Sequence, residues 1–388
     1  MINKRVLFLA TVNPFEPGGG SQANRCYLDA TLDIFGSENV DVMIADEVNI
    51  SPEYNKNSFI RISERTNYEK ITGIFGGFYS RFTKALILFI RKNKDKYGLV
   101  IINGGVPAGK AVRKVRDEGI KTIVIHHNYE VEYHRDNKTV ESFGGHYLRG
   151  IIKAERSAYK YSDLNIFLTS EDERLFENAY GKQCGLNKAV GVFDYKNSSK
   201  VIIDRNEKTF DIAISGTLGN YQTIDGVMDF YNQYYQVTKQ LLPNLKIVLT
   251  GRNPKSEIYC IQNKEHNSFS IMANPDNIYK IVQQAKIYLC PVCIGGGLKL
   301  RAMDGLKCGL PVLAHAVSAR GYDYFYNKEY FKVYSDESSY RKGLADLIKY
   351  CKEKKDDDKK IVEDYYNYFG YEAGKKRFGK ILEAAGLK

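Results

Sequence analysis

Three glycines, two basic residues and one acid stand close together in the segment CPVCIGGGLKLRAMD. The glycines are Gly295, Gly296 and Gly297, and they are followed by Leu298, Lys299, Arg301 and Asp304. Glycine lets the backbone bend sharply or a ligand approach it closely. If a helix begins near Leu298, its free N–H groups and the basic side chains would attract a phosphate or a diphosphate. The sequence therefore predicts an anion-binding loop between an apolar strand and a helix.

Asp304 would then lie about two turns into the helix, where its carboxylate could accept hydrogen bonds from ribose hydroxyls. The alternative is that Lys299 and Arg301 are surface charges, and that Asp304 pairs with Arg301 three residues before it. The residues alone leave both interpretations open.

Two further candidates follow predicted strands. Arg252 comes directly after Gly251, and a guanidinium at a strand end can make two bonds to phosphate oxygens. The alternative is a turn arginine in solvent. His127 ends a strand in VIHHNYEVEYH, and with Glu130 behind it this histidine is a candidate for contacting a sugar hydroxyl. Because successive strand residues point to opposite faces, only one of His126 and His127 should face a ligand; a core or loop histidine is the alternative.

The elements that must position these residues appear as short apolar runs that alternate with amphipathic helical patterns. Runs that are apolar throughout are typical of parallel strands covered on both faces. Their alternation with helices predicts parallel sheets with right-handed crossovers. The predicted strands span 5–12, 40–45, 99–104, 121–127 and 164–170, and then 210–216, 245–251, 268–273, 287–292 and 310–315.

The polar segment 194–210 divides this series, and the strand count restarts after it. A chain of 388 residues is also too long for one ordinary core. We therefore expect the fold class α/β, with two Rossmann-like doubly wound parallel-sheet domains facing a cleft. The predicted domains are 1–200 and 201–365, and a C-terminal helix in 366–388 is expected to pack back toward the first domain.

Glycine clusters follow four of the predicted strands, where ligands of doubly wound sheets bind. They contain Gly19 and Gly20 in PGGGS, Gly216 with Thr217 in GTLG, Gly251 in GRNP, and the triple glycine at 295–297. This regularity is the strongest indication of a ligand site. The first cluster lacks both the Gly-Lys-Ser ending of a P-loop and the dinucleotide spacing. It therefore predicts a flexible wall beside a reacting sugar.

The composition restricts the partners. A net charge of +11 fits an anionic partner, but no zinc-finger spacing or dense basic helix points to nucleic acid. Cys290 and Cys293 have no second pair to complete a zinc site, so we expect reduced thiols, no bound metal and a cytoplasmic protein. The segment 78–94 combines basic and aromatic residues. It either rests on the inner face of an anionic membrane or forms a helix that packs its apolar residues against the protein.

The second half of the chain resembles the GT-B glycosyltransferases, most closely the large retaining family 4 (glycosyl transferases group 1). The resemblance covers roughly 210–322 and is carried by SGTLGNYQTIDGVMDFY, PNLKIVLTGRNP and LCPVCIGGGLKLRAMDGLKCGLPVLAHAVSARGY. In the first half, HHNYE and KAERSAYKYSDLNIFLTSEDE fit the same pattern less fully. The resemblance implies that the second domain binds a nucleotide sugar. The residue at Asp304 would hold the ribose, and Lys299 would neutralise the diphosphate.

The sequence departs from the family pattern at three points. The family has two glutamates eight positions apart, and here they fall on Gly296 and Asp304. The family's basic pair after the SGTLG turn is also missing, since no basic residue follows that turn until Lys239. Arg252 and Lys299 would have to carry that charge.

The resemblance implies a retaining hexosyltransferase that needs neither a cofactor nor a metal. Its donor would be a UDP- or GDP-sugar, with Arg252 and Lys299 stabilising the leaving diphosphate and His127 positioning the sugar. The acceptor would be a saccharide, lipid-linked or protein-linked, in bacterial surface polysaccharide or glycoconjugate synthesis. Two rivals remain: a catalytically degenerate GT-B subunit that binds a partner transferase or the membrane, and a sugar-nucleotide 2-epimerase.

Overall fold

A computed structural model describes residues 4–76, 80–136, 146–183, 185–203, 208–354 and 358–388. Parts of two segments singled out in the sequence, 78–79 and 204–207, lie outside these ranges. The chain forms two compact units: one comprises 1–198 and 370–388, and the other comprises 199–369.

The described part of the first unit contains a seven-stranded parallel sheet in the order β3-β2-β1-β4-β5-β6-β7. Its central strands are buried along nearly their whole length, as continuously apolar strands require. The strands are β1 (Arg5–Ala10), β2 (Val40–Ala45), β3 (Ser58–Ile62), β4 (Tyr97–Asn103), β5 (Lys121–His126), β6 (Leu164–Phe167) and β7 (Leu186–Ala189).

Helices connect these strands and cover the sheet. They are α1 (Gly19–Phe35), α2 (Asn67–Gly76), α3 (Arg81–Asn93), α4 (Gly105–Asp117), α5 (Glu130–Asp136), α6 (His146–Tyr161) and α7 (Ser170–Tyr180). The last helix of the chain, α15 (Tyr371–Ala384), also belongs to this unit. It packs on α1, where the rings of Phe378 and Tyr27 meet edge to face and the Tyr371 hydroxyl donates to Asp33 at 2.8 Å.

The described part of the second unit contains a six-stranded parallel sheet in the order β10-β9-β8-β11-β12-β13. The strands are β8 (Phe210–Thr217), β9 (Ile247–Arg252), β10 (Phe269–Ala273), β11 (Ala285–Cys290), β12 (Val312–His315) and β13 (Phe331–Tyr334). Its helices are α8 (Tyr221–Asp229), which continues through a π-helical segment (Phe230–Tyr234) into α9 (Tyr235–Leu241), then α10 (Ser256–Lys264), α11 (Ile278–Val282), α12 (Arg301–Lys307), α13 (Glu337–Glu353) and α14 (Asp358–Phe369).

Both units have the α/β, Rossmann-like parallel-sheet architecture predicted from the sequence, and all ten predicted strands are present. Three further strands, β3, β7 and β13, were not predicted. Each lies at the edge of its sheet and is only partly buried. Because these three edge strands are partly exposed, they lack the continuous apolar run by which the other strands were predicted.

Helix α3 shows how the basic segment is packed. Phe82, Leu86 and Ile90 are buried, whereas Lys84 and Arg91 are exposed. The apolar residues therefore pack inward on this helix, and its basic residues lie on the exposed side, so membrane contact stays a prediction. No helix in the described ranges is long and apolar enough to cross a membrane.

Candidate functional site

The strand order of the second sheet changes direction between β8 and β11, which are neighbours in the sheet although β9 and β10 lie between them in the sequence. At such a point the connections leave toward opposite sides, and a crevice opens beyond the carboxyl ends of the two strands. Gly216 and Thr217 end β8, and the triple-glycine loop follows β11. The structure thus brings together the glycines that the sequence analysis selected in this half.

Lys299 lies in the loop between β11 and α12, beside the glycines. Its side chain is mostly covered, with 9% of the residue exposed, and Nζ donates to the Gly296 carbonyl at 2.7 Å and to Gln222 Oε1 at 3.2 Å. The Lys299 carbonyl in turn accepts the hydroxyl of the buried Tyr322 at 2.7 Å. A lysine held in this way is a fixed positive charge beside the glycine loop, and not the freely solvated surface charge of the alternative interpretation.

The helix after the glycines begins later than predicted. The sequence placed its start near Leu298, but α12 begins at Arg301, and Leu298 packs against the apolar core of this unit. Gly295 and Gly297 have φ values of 85° and 71°, so the chain turns through a left-handed conformation before it can enter a helix. Lys299 therefore precedes the helix, and Asp304 lies in its first turn, not two turns in.

Arg301 and Asp304 are linked to each other and to the end of β8. Arg301 Nη2 donates to Thr217 Oγ1 at 3.3 Å, and Nη1 lies 3.7 Å from Asp304 Oδ2. Ser215 donates to the same carboxylate oxygen at 3.2 Å. Burial raises the pKa of Asp304, and the positive charge of Arg301 and the bond from Ser215 partly offset that rise. The pairing of Asp304 with Arg301, which the alternative interpretation predicted, does occur. It lies at the carboxyl edge of the sheet, next to the end of β8.

Arg252 ends β9, and its strand partner is Thr217. The side chain is exposed to solvent, as the alternative interpretation predicted. Gly251 before it lies against Gly216 so closely that a Cβ at Gly251 would come within 1.6 Å of the Gly216 carbonyl oxygen. The glycine of the GRNP turn is thus required by the approach of two strands.

In the first unit, the strand order reverses between β1 and β4. Gly19 and Gly20 begin α1 after β1 and are exposed. Thr11, just past β1, donates its hydroxyl to the carbonyl of Asn103 at 2.6 Å. Asn103 ends β4, and its side-chain oxygen lies 2.5 Å from Nε2 of His127, which follows β5. The carboxyl ends of three adjacent strands are therefore joined at His127.

The two adjacent histidines have different surroundings. His126 is buried, stacks on Phe167 and contacts Asn165 Oδ1 through Nε2 at 2.8 Å. His127 is only partly buried by its neighbours. Burial lowers the pKa of both rings to about 4, so both are neutral near pH 7. Glu130 begins α5, and burial raises the pKa of its carboxyl to about 7.

Sequence reasoning missed several residues that hold the site together, among them Gln222, Ser215 and Asn103. Asn103 carried a usable signal, because it is a polar residue at the end of an otherwise apolar run. Ser215 and Gln222 carried none, since their roles come from contacts with residues 89 and 77 positions away. In the described ranges, no three His, Cys, Asp or Glu side chains are grouped so as to hold a metal ion.

A comparison with protein families matches residues 210–348 to the family described as glycosyl transferases group 1. This range contains β8 to β13 and every candidate residue of the second unit. A search of curated proteins found no match.

Solved structures with the same fold cover nearly the whole chain. Anabaena HepE in complex with UDP and glucose has a TM-score of 0.64 at 11% identity, with 98% of this chain and 100% of that chain covered. Sucrose-phosphate synthase from Thermosynechococcus elongatus has a TM-score of 0.67 at 15% identity, with 98% and 99% covered. A glycosyltransferase from Rickettsia africae has a TM-score of 0.64 at 12% identity, with 99% of both chains covered.

Proposed function

We propose that the protein transfers a sugar from a nucleoside-diphosphate sugar to an acceptor hydroxyl; the match of residues 210–348 to the family described as glycosyl transferases group 1 supports this proposal. The observation that carries the proposal is the placement of Lys299, Arg301 and Asp304 at the switch point between β8 and β11. Two cations and one carboxylate at that edge match the two phosphates and the ribose of a nucleoside diphosphate.

The chemistry needs stabilisation of the diphosphate as its bond to the anomeric carbon breaks. Lys299 is held by Gly296 and Gln222 before any ligand arrives, so its charge needs little reorganisation during the reaction. Arg301 and the exposed Arg252 add positive charge at the ends of neighbouring strands. We propose that these side chains do the work that a divalent metal does in other transferases.

Asp304 is proposed to hold the ribose. Its carboxylate already accepts from Ser215 and stands beside Arg301, and a carboxylate oxygen can accept a further hydrogen bond from a hydroxyl. The complex of HepE with UDP and glucose supports a uridine donor, and a GDP-sugar is the other donor that we would test.

His127 is proposed to contact the transferred sugar through its neutral ring. Retention of the anomeric configuration is proposed because the second half resembles a retaining family; the acceptor would attack on the face from which the diphosphate departs.

For the acceptor we propose a saccharide, lipid-linked or protein-linked, of a bacterial surface polysaccharide or glycoconjugate. The exposed residues of α3, Lys84, Leu88 and Arg91, would let the first unit rest on an anionic cytoplasmic membrane. Sedimentation with phosphatidylglycerol vesicles tests this contact: the wild type should sediment and Lys84→Glu/Arg91→Glu should not, whereas equal binding to neutral vesicles contradicts it.

The function itself is tested by measuring binding and turnover of a panel of nucleotide sugars. One donor should bind and be slowly hydrolysed, and Lys299→Ala or Asp304→Ala should each weaken binding by about 1.5–3 kcal/mol, the range for a hydrogen bond to a charged group. Lys264→Ala, on the exposed side of α10, is the matched control and should bind normally. If the folded wild type binds no nucleotide sugar, the transferase proposal fails and the catalytically degenerate subunit takes its place.

A further inference from the structure

Three sequence segments of the first unit meet behind His127. The segment after β5 is HHNYE, α6 contains KAER, and α7 begins in TSEDE. They are joined by two buried carboxylates, Glu155 from α6 and Asp172 from α7. The function proposed above makes no use of either residue.

Glu155 supports the first residue of α5. The residue is fully buried, with 0% exposed, and Oε1 accepts the backbone N–H of Glu130 at 2.7 Å. Its other oxygen accepts the hydroxyl of Tyr180 at 2.6 Å. The bond to Glu130 satisfies one of the N–H groups that the first turn of a helix leaves without an intrahelical partner.

Asp172 supports Tyr129, the residue before Glu130. Oδ1 accepts the backbone N–H of Tyr129 at 3.1 Å, and Oδ2 accepts the hydroxyl of Thr169 at 2.5 Å. Thr169 is the N-cap of α7 and accepts the Asp172 N–H at 3.0 Å. The position of Asp172 is therefore set by its own helix, and Tyr129 is attached to it.

This arrangement is costly, which indicates a role beyond closing a short helix. A serine or an asparagine can satisfy the N–H groups at a helix start, whereas a buried carboxyl group must either lose the hydration of its charge or take up a proton. Burial and the nearby carboxylates raise the pKa of Glu155 to about 8, although the Tyr180 hydroxyl and the Glu130 N–H offset part of that rise. Two such groups hold two successive amides, two and three residues beyond His127.

We propose that Glu155 and Asp172 are positioning residues for sugar transfer, which fix the Tyr129 and Glu130 backbone and thereby hold the His127 ring in the place where it contacts the sugar. This inference rests on the proposed function. A positioning role differs from general stabilisation because it acts on turnover and leaves nucleotide affinity, which is proposed to depend on Lys299 and Asp304, unchanged.

The test replaces Glu155 in two ways that differ only in hydrogen bonding. Glu155→Gln can accept the Glu130 N–H through its amide oxygen and donate its amide to the Tyr180 oxygen, so it should keep turnover within about threefold of the wild type. Glu155→Met has a similar length but no acceptor, and it should lower kcat at least tenfold. Nucleotide affinity should stay within twofold in both variants. Tyr180→Phe removes the other hydrogen bond of Glu155 and the contact of the Tyr180 hydroxyl with the Tyr129 hydroxyl. It leaves the bond from the Glu130 N–H in place and should behave like Glu155→Gln.

Amide hydrogen exchange of the wild type keeps the inference testable if Glu155→Met does not fold. The amides of Tyr129 and Glu130 should exchange slowly, since each donates to a buried carboxylate; exchange as fast as that of exposed loop amides overturns the inference.

The outcomes separate the inference from the function on which it rests. If the wild type transfers or hydrolyses no nucleotide sugar, the proposed function fails, and the inference fails with it. If the wild type is active and Glu155→Met keeps its kcat, only the positioning role is overturned. An equal loss in Glu155→Met and Glu155→Gln, or a parallel loss of nucleotide affinity, also overturns it, because either result indicates a general structural role.

Discussion

Nε2 of His127 lies 2.5 Å from Oδ1 of Asn103, and this contact determines which ring nitrogen carries the proton. The amide nitrogen of Asn103 donates to the Ala23 carbonyl at 3.3 Å, so the amide oxygen is turned toward the histidine. An oxygen can only accept, and therefore Nε2 must donate. Because the ring is neutral near pH 7, Nδ1 keeps a lone pair that can accept a hydroxyl.

Asn103→Asp should change the pH dependence of the reaction. A carboxylate beside Nε2 favours the charged ring and raises the pKa of His127, which turns Nδ1 from an acceptor into a donor. We expect turnover at pH 7 to fall roughly tenfold or more, the effect of about one lost hydrogen bond, and to recover at higher pH. The measurement is kcat against pH.

Asn165→Asp is the matched control, since it makes the same change beside His126, which is buried and stacked on Phe167. That variant should lose stability without a shift in the pH profile. Superimposable pH profiles of Asn103→Asp and the wild type would contradict the proposed role of the His127 tautomer.

Gly251→Ala should disrupt the carboxyl edge of the second sheet. A methyl group there would lie 1.6 Å from the Gly216 carbonyl oxygen, and φ is 149°. We expect destabilisation of about 2 kcal/mol or more, since both strain and a backbone collision contribute, together with weaker nucleotide binding. Gly119→Ala is the comparison: its φ is also positive, at 77°, but nothing lies within 4 Å of the added carbon. If urea denaturation gives the same loss of unfolding free energy for both variants, the close approach of Gly251 to the Gly216 carbonyl contributes nothing.

Substitutions of two glycines in α15 distinguish the effect of helix packing on stability from the effect of helix propensity. In Gly374→Ala the added carbon would come within 2.0 Å of the Phe193 ring, so the helix must move and the free energy of unfolding should fall by about 1–3 kcal/mol. In Gly379→Ala it meets only Ile34, at 3.8 Å, and removing a glycine inside a helix should stabilise by about 0.5–1 kcal/mol. If thermal unfolding shows that both variants are stabilised, or that both are destabilised, this account of the packing of α15 is wrong.

Glu155 should make stability fall as pH rises. Its pKa is about 8 in the folded protein against 4.5 ordinarily, so between those values the folded state binds a proton that the unfolded state does not. The stabilisation is complete below pH 4.5 and is lost as pH rises through about 8. His126 and His127 oppose this trend below pH 6.5, because their pKa values are lowered.

A comparison with Glu155→Gln cancels the contribution of those histidines. The melting temperature of the wild type relative to this variant should fall steadily from pH 5 to pH 9. Glu383→Gln, an exposed position on α15, should leave the slope of the wild type unchanged. A pH-independent difference between the wild type and Glu155→Gln would show that Glu155 does not titrate differently on folding.

Much of the fold could be predicted from sequence because its signals are local. The ten apolar runs predicted ten strands, and the resemblance of 210–322 to the group 1 glycosyl transferases is confirmed by the match over 210–348. The start of α12 was predicted wrongly because three glycines interrupt a helical pattern, and the sequence does not show where the left-handed turns end. The edge strands β3, β7 and β13 were missed because polar residues interrupt their apolar runs, whereas the edge strand β10 was predicted.

The sequence by itself determined the α/β architecture, since burial on both faces of a sheet demands continuous apolar strands and since turns at strand ends demand glycine. Only the tertiary structure decided which charges and polar groups meet. Asn103 reaches His127, and Glu155 reaches Glu130, because β4, β5 and β6 are neighbours in one sheet, and the order of strands is set by long-range packing. In the same way Lys299 is fixed by Gln222, 77 residues before it, through the adjacency of β8 and β11.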